Sequence, residues 1–172
     1  MAKLRILLMV SIILLAVTAS ADPPRFVSEY SSLSDDSCKM IESGIDYGVQ
    51  RCPVHDGYNV YIYGGEGTSS IGLKKGKGKE ISLYPERTKA SKLPEFSSPY
   101  VSGDRIEWRY EMTQGKKTLV GLIYRVGDQS WPKEQTYLFI TRVTGTSFCP
   151  LGLVKTNEEA RAMLDSGNPC PK

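Results

Sequence analysis

Ile106-Glu107-Trp108-Arg109-Tyr110-Glu111-Met112 is the stretch that decides the fold of this 172-residue chain. Large apolar and charged side chains alternate along it without interruption, which is typical of a β-strand with one buried and one solvated face. The expected core residues are Trp108, Tyr110 and Met112, and the expected solvated charges are Glu107, Arg109 and Glu111. The stretch therefore predicts an antiparallel strand that serves as scaffold.

Two further runs follow this strand, at residues 118–126 and 136–143, and both are rich in β-branched and aromatic residues. Glycine-containing turns separate the three segments, so they predict a three-stranded antiparallel meander. A helix should follow near the C-terminus, because Thr156 with Glu159 forms a capping-box pattern ahead of an apolar stripe. The expected fold is mainly β (β-rich α+β), a small barrel or sandwich with one C-terminal α-helix.

The remaining segments are less regular. Residues 22–37 predict an irregular N-terminal arm or a short edge strand, and residues 38–172 form a single domain. Residues 37–43 show helical spacing and predict one helical turn, after which residues 46–52 are extended until Pro53 ends them. Prolines spread through residues 85–99 predict a long surface connection.

Residues 1–21 have the three zones of a secretory signal peptide, with a basic start, an apolar run and small residues at the end. The apolar run is shorter than the roughly 20 residues that span a bilayer. We expect cleavage after Ala21, which leaves a soluble periplasmic or secreted protein of 151 residues without a membrane anchor. The mature chain has 20 basic and 19 acidic residues, a balance that does not favour nucleic acid as a partner.

All four cysteines lie in the mature chain, and an even number in an exported protein indicates disulfides. Three pairings are possible. We favour Cys38 with Cys52 and Cys149 with Cys170, because this pairing gives two short local links. A four-thiolate zinc site is the alternative, but the spacing lacks Cys-x-x-Cys pairs.

Catalytic and cofactor motifs are not recognisable in the sequence. His55 is the chain's one histidine and follows Pro53 in a turn, without a Gly-x-Ser-x-Gly motif to accompany it. The glycine-rich segment 64–75 fails as a phosphate-binding loop, because Gly72 is followed by Leu73 rather than by Lys and Ser or Thr. We therefore predict no catalytic residue, no cofactor and no metal.

A partner surface is the remaining kind of site that the sequence offers. Lysines in a glycine-rich turn can meet an acidic partner or simply solvate the turn, and a tryptophan in a polar loop can face a partner or fold back on the core. The candidate residues are Lys74, Lys75, Lys77, Ser102, Gly103, Lys116 and Trp131. The expected partner is an unidentified protein or an envelope glycan.

Several motifs resemble an uncharacterised family of small exported, periplasmic proteins of Gram-negative α-proteobacteria. They are Cys52 with Gly57-Tyr58-x-Val60, Ile106-Glu107-Trp108-Arg109, Tyr124-Arg125, and Cys149 followed by Asn157-x-x-Ala160-Arg161-x-Met163-Leu164-Asp165 and Cys170. The resemblance implies an exported location and structural cysteines, and it implies no activity.

A weaker resemblance is to periplasmic lysozyme inhibitors, small β-barrels that plug the enzyme cleft with a Ser-Gly loop and a Lys-Gly loop. Ser102-Gly103 and Gly115-Lys116-Lys117 are spaced in a loosely similar way. The leading hypothesis is a non-enzymatic envelope binding or maintenance protein. The alternatives are an inhibitor of a cell-wall hydrolase, which requires Ser102 and Lys116 on one rim, and a small hydrolase with an unidentified site.

Overall fold

The computed structural model describes residues 25–84, 98–132, 135–145 and 147–170. The predicted signal peptide and residues 85–97 of the predicted proline-rich connection lie outside the described residues. The elements are β1 (Phe26–Ser32), β2 (Lys39–Ser43), β3 (Tyr47–His55), β4 (Tyr58–Gly65), β5 (Thr68–Lys75), β6 (Ile81–Ser82), β7 (Pro99–Thr113), β8 (Lys116–Asp128), β9 (Thr136–Thr144), β10 (Ser147–Val154) and α1 (Asn157–Asp165).

The strands form two antiparallel sheets. Sheet A has the order β1-β7-β8-β9-β10, and sheet B has the order β2-β3-β4-β5-β6. The predicted meander is confirmed as β7, β8 and β9, which are neighbours in sheet A. The N-terminal arm is predicted to be irregular or to contain a short edge strand, and the structure shows the strand. It is β1, which pairs with β7 at the edge of sheet A.

The main core lies between the two sheets, which pack as a sandwich and do not close into a barrel. Trp108 and Tyr110 of β7 are completely buried there, as the alternating pattern predicts. They meet the inward-facing residues of sheet B, among them Tyr58, Val60 and Leu73. The predicted fold class, β-rich with one C-terminal helix, is confirmed.

The helix α1 covers the opposite face of sheet A and forms a second, smaller core. Leu164 and Ala160 pack there on Ile123, Leu138 and Ile140. The predicted capping box is present, since the Thr156 side chain accepts from the backbone of Glu159 and the Glu159 side chain accepts from the backbone of Thr156.

This helix overturns the prediction of a solvated charge stripe on β7. Glu107 is only 4% exposed, and its carboxylate accepts hydrogen bonds from Arg161 of α1 at 2.6 and 3.0 Å. Arg109 binds Asp165 of α1 through two hydrogen bonds of 2.9 and 2.6 Å. Glu107 is therefore buried and Arg109 partly buried beneath the helix, and both are paired with it, while Glu111 remains partly exposed.

Two further predictions are wrong in sheet B. Residues 39–43 are the edge strand β2 rather than a helical turn, because the Cys38–Cys52 disulfide and the ladder to β3 hold them extended. Pro53 does not end the third strand, which continues to His55. The ladder shifts register between Cys52 and His55, and a residue without an N–H is tolerated at such an irregularity.

Both favoured disulfides, Cys38–Cys52 and Cys149–Cys170, are formed. The first links the start of β2 to β3, and the second links β10 to the segment that follows α1. Two disulfides indicate an oxidising environment outside the cytoplasm. Among the described residues, no helix has the length and apolar character needed to cross a bilayer.

Candidate functional site

The seven predicted surface residues lie at two opposite ends of the sandwich. We call one the tryptophan end, which holds the β4–β5 turn, the start of β7 and residues 128–131. The other is the histidine end, which holds the β3–β4 turn at residues 56–57, the end of β5 and the β7–β8 turn at residues 114–115. The predicted residues at the tryptophan end are Ser102, Gly103 and Trp131, and those at the histidine end are Lys74, Lys75, Lys77 and Lys116.

Residues at the tryptophan end are largely turned towards the protein. Trp131 is partly buried and packs edge-on against Tyr137, with 5.0 Å between ring centroids. Ser102 is partly buried, and its hydroxyl has no hydrogen-bond partner in the described part of the protein. A Cβ on Gly103 would lie 2.8 Å from the Cβ of Arg125. This group is built into the wall of the sandwich.

Lysines at the histidine end are more accessible. Lys77 and Lys116 are exposed, while the ammonium of Lys75 lies 4.7 Å from the ring centroid of Tyr58. Ser102 lies near the start of β7 and Lys116 lies just past its end, and the ten residues between Ser102 and Thr113 separate them by roughly 35 Å. The two turns of the inhibitor resemblance therefore do not share a rim.

His55 belongs to a network that joins the two sheets at the histidine end. Its ring stacks on the indole of Trp108, with 4.6 Å between centroids. Its Nε2 lies 3.2 Å from Oε2 of Glu29 and 3.2 Å from the hydroxyl of Tyr110. The other oxygen of Glu29 accepts from Nζ of Lys117 at 2.7 Å.

Among the described residues, the histidine network lacks a serine, threonine or cysteine nucleophile. Within the described part of the chain, no Ser, Thr or Cys side chain hydrogen-bonds to His55. Burial lowers the pKa of His55, with Lys117 acting in the same direction and the carboxylates of Glu29 and Asp56 acting against it. Burial also raises the pKa of Tyr110, so its hydroxyl stays protonated at neutral pH. The network suits a link between sheets better than acid–base chemistry on a substrate.

A groove of about 390 Å³ opens on the helix-covered side of sheet A, and we call it the arginine groove. It forms because β7 shifts register between Val101 and Ile106, so that residues 102–105 leave the ladder with β8. Tyr30 of β1 and Asn157 of α1 also line it. The complete lining is Tyr30, Gly103, Asp104, Arg105, Glu107, Ile123, Tyr124, Arg125, Leu138 and Asn157.

The charges around the arginine groove leave one guanidinium without a carboxylate. Arg161 pairs with Glu107, and Arg105 pairs with its chain neighbour Asp104. Arg125 donates to the hydroxyl of Thr136 at 3.1 Å, and no carboxylate of the described residues lies within ion-pair distance of it. The groove therefore carries a positive charge that no carboxylate of the described residues neutralises.

An aromatic group stands beside this charge. The ring of Tyr30 is about half exposed, and its hydroxyl accepts from Nη2 of Arg161 at 2.8 Å. The floor of the groove is apolar, formed by the buried side chains of Ile123 and Leu138 on the helix-covered face of sheet A. A ligand with one anionic group and a ring-shaped body would match this lining.

One residue of this groove, Arg125, stands out in the sequence itself. Arg125 interrupts the apolar run 122–126 of β8, and a charge within a buried strand demands an explanation. Tyr30, Arg105 and Asn157 gave no such signal, because each lies in polar sequence. Their convergence depends on the register of β1 with β7 and on the docking of α1.

Comparison with known proteins adds nothing to the assignment: no family model, no curated protein and no solved structure matches the chain. Among the described residues, no group of three or more His, Cys, Asp and Glu side chains converges as a metal site would require.

Proposed function

We propose that the protein is an exported, non-enzymatic binding protein that holds an anionic saccharide of the cell envelope in the arginine groove. The carrying observation is Arg125, a guanidinium in the groove wall with a single hydrogen bond to Thr136 and no carboxylate partner in the described part of the chain. A guanidinium in this state can bind a carboxylate or phosphate through two parallel hydrogen bonds.

The size and lining of the groove support a small ligand. Ligand sites usually enclose about 300–1,000 Å³, and the arginine groove encloses about 390 Å³, enough for one or two sugar rings. The face of Tyr30 offers an amphipathic surface to a sugar ring, while Asn157 offers a neutral amide. The disulfides and the predicted signal peptide support an envelope location.

Titration followed by NMR tests the proposal, with glucuronic acid, glucose 6-phosphate and glucose as probes. We expect saturable shifts of the Tyr30 and Arg125 signals with at least one of the two anionic sugars, and none with glucose. The comparison of glucuronic acid with glucose 6-phosphate identifies whether the groove binds a carboxylate or a phosphate. Shifts of equal size with glucose, or no saturable shift with either anionic sugar, would refute the proposal.

Arg125→Gln is the decisive variant, and Arg51→Gln is its matched control because Arg51 is an exposed arginine of sheet B. Loss of a bidentate charge-assisted contact should weaken binding by about tenfold or more in the first variant. The second should bind as the unmodified protein does. Equal weakening in both would point to general charge attraction instead of the groove.

The two alternative functions receive no such support. The inhibitor hypothesis needs Ser102 and Lys116 together, and they stand near opposite ends of β7. The hydrolase hypothesis needs a pocket that contains His55 or two facing carboxylates. The arginine groove holds Asp104 and Glu107, but each of these carboxylates is paired with an arginine. The partners of His55 are a phenol and a carboxylate that is already bound to Lys117.

A further inference from the structure

The edge of sheet B carries the densest cluster of exposed apolar side chains in the described part of the protein. All five residues of β2 are exposed, and its outer edge has no strand partner among the described residues. Met40 and Ile41 are 56% and 50% exposed, and Ile45 and Tyr47 are exposed just beyond the strand. A groove of about 430 Å³ lies beside them on the same edge. Such an edge is a template for pairing with another strand.

The strand is held in place before any partner arrives. The Cys38–Cys52 disulfide fixes the residue before β2 to β3. At the other end, the N–H of Gly44 donates to the carbonyl of Tyr47 at 2.8 Å, and the Tyr47 hydroxyl donates to Glu42 at 3.0 Å. Pairing at this edge would therefore cost little ordering of the backbone.

The charges of β2 are arranged for a second copy of the same strand. Lys39 lies opposite Arg51 in the ladder to β3, and like charges in this position repel each other. No carboxylate of the described residues is within ion-pair distance of either. The ladder shifts register between Met40 and Glu42, which places Glu42 opposite Val49 and hence on the same face as Lys39.

We propose that β2 pairs antiparallel with β2 of a second copy of this chain, about a two-fold axis between Met40 and Ile41. In this register Lys39 of each copy stands opposite Glu42 of the other, on the same face of the joined sheet. Each Glu42 then neutralises the repelling pair of Lys39 and Arg51. Met40 and Ile41 of the two copies meet at the axis, and two sheets of five strands become one of ten.

Sedimentation equilibrium of the oxidised protein, from low micromolar to millimolar concentration, tests this proposal through charge reversal. A dimer with this two-fold axis has two contacts between Lys39 of one copy and Glu42 of the other. Lys39→Glu and Glu42→Lys each put like charges into both contacts, and each should weaken the dimer about tenfold or more. The double variant Lys39→Glu with Glu42→Lys restores opposite charges in both contacts and should recover the dimer. Only pairing between identical strands in this register predicts that recovery.

Two control variants separate the proposed contact from other effects. Lys77→Glu makes the same change of charge as Lys39→Glu on an exposed turn at the histidine end, and it should leave association unchanged. Tyr47→Phe removes only the hydrogen bond to Glu42 and should keep most of the dimer. Backbone pairing should also protect amides within residues 39–43 from hydrogen exchange as the concentration rises.

Three outcomes would overturn the proposal. They are a monomer at every concentration, association that the single charge reversals do not weaken, and a double variant that stays monomeric. If the protein is a monomer at every concentration, the irregularity in β2 and the charge of Lys39 would serve to prevent edge pairing. Association through another surface would leave the β2 amides unprotected. None of these outcomes bears on the arginine groove, which lies on sheet A.

Discussion

Nε2 of His55 lies 3.2 Å from Oε2 of Glu29, and this contact joins β3 of sheet B to the edge strand β1 of sheet A. The rest of the network consists of Tyr110 and Lys117 from sheet A and Asp56 from the adjoining turn. Because His55 is the chain's one histidine, its titration can be followed without interference.

We expect the protein to lose stability as the pH falls from about 7 to about 5, and His55→Gln to reduce this loss. Burial lowers the pKa of His55 below its ordinary value of about 6.5, so the unfolded chain takes up the proton first and is favoured. Urea unfolding across this pH range measures the effect, and NMR gives the pKa. A folded-state pKa above 6.5 would mean that Glu29 and Asp56 outweigh burial.

Removal of Arg161 should destabilise the protein through Glu107. Arg161→Met leaves the buried carboxylate of Glu107 with the hydrogen bond from Ser28 but without its counter-charge, and we expect a loss of roughly 2–4 kcal/mol in the free energy of unfolding. The second change Glu107→Gln removes the charge and should recover much of that loss. If the double variant is no more stable than Arg161→Met, the cost comes from lost packing.

A side chain at Gly121 should displace α1 from sheet A. A Cβ there would overlap both methyl groups of Leu164 and lie 2.8 Å from the carbonyl oxygen of Thr141. Gly121→Val should therefore lower the free energy of unfolding by about 1–3 kcal/mol. Gly64→Val is the matched strand control, because the nearest atom to its Cβ is 3.9 Å away. Equal losses in thermal or urea unfolding would exclude Leu164 as the cause.

Replacement by alanine should affect the free energy of unfolding differently at two serines of the sandwich. The hydroxyl of Ser31 accepts from Nε1 of Trp108 at 2.8 Å, so Ser31→Ala leaves a buried indole N–H unpaired and should cost about 1–3 kcal/mol. Ser102→Ala should leave stability unchanged or raise it by up to about 1 kcal/mol, since it removes a buried hydroxyl that has no partner among the described residues. A large loss for Ser102→Ala in urea unfolding would reveal a structural contact at this position.

The strands β7 and β2 show where a local sequence pattern is enough to predict secondary structure and where it is not. In β7 the alternation of apolar and polar residues predicts the strand. The structure confirms it, because β1 and β8 pair with its two edges and sheet B covers the predicted apolar face. In residues 37–43 the spacing of Cys38, Ile41 and Glu42 suggests a helical turn. A disulfide and a ladder to β3 decide otherwise, because nonlocal bonds outweigh the weak preference of a seven-residue segment.

The arginine groove shows where prediction from sequence stops. Tyr30, Arg125 and Asn157 are far apart in the chain, and each comes from a different element. They meet because β1 pairs with the middle of β7 and because α1 crosses the outer face of sheet A. No local sequence pattern indicates that these three residues come together, so the predicted partner surface did not include them.

The sequence by itself determined the meander and the capped helix, and it favoured the pairing of cysteines that forms, because each depends on residues close together in the chain. It also determined that Trp108 and Tyr110 are buried, because alternation alone separates the two faces of a strand. Only the tertiary structure decided whether the second face of β7 is exposed to solvent or covered. The charges of Glu107 and Arg109 suggest solvent, but Arg161 and Asp165 of α1, which lie 54 and 56 residues further along the chain, pair with them. A charged side chain can be buried when a partner of opposite charge is buried with it, and that partner is found only by folding.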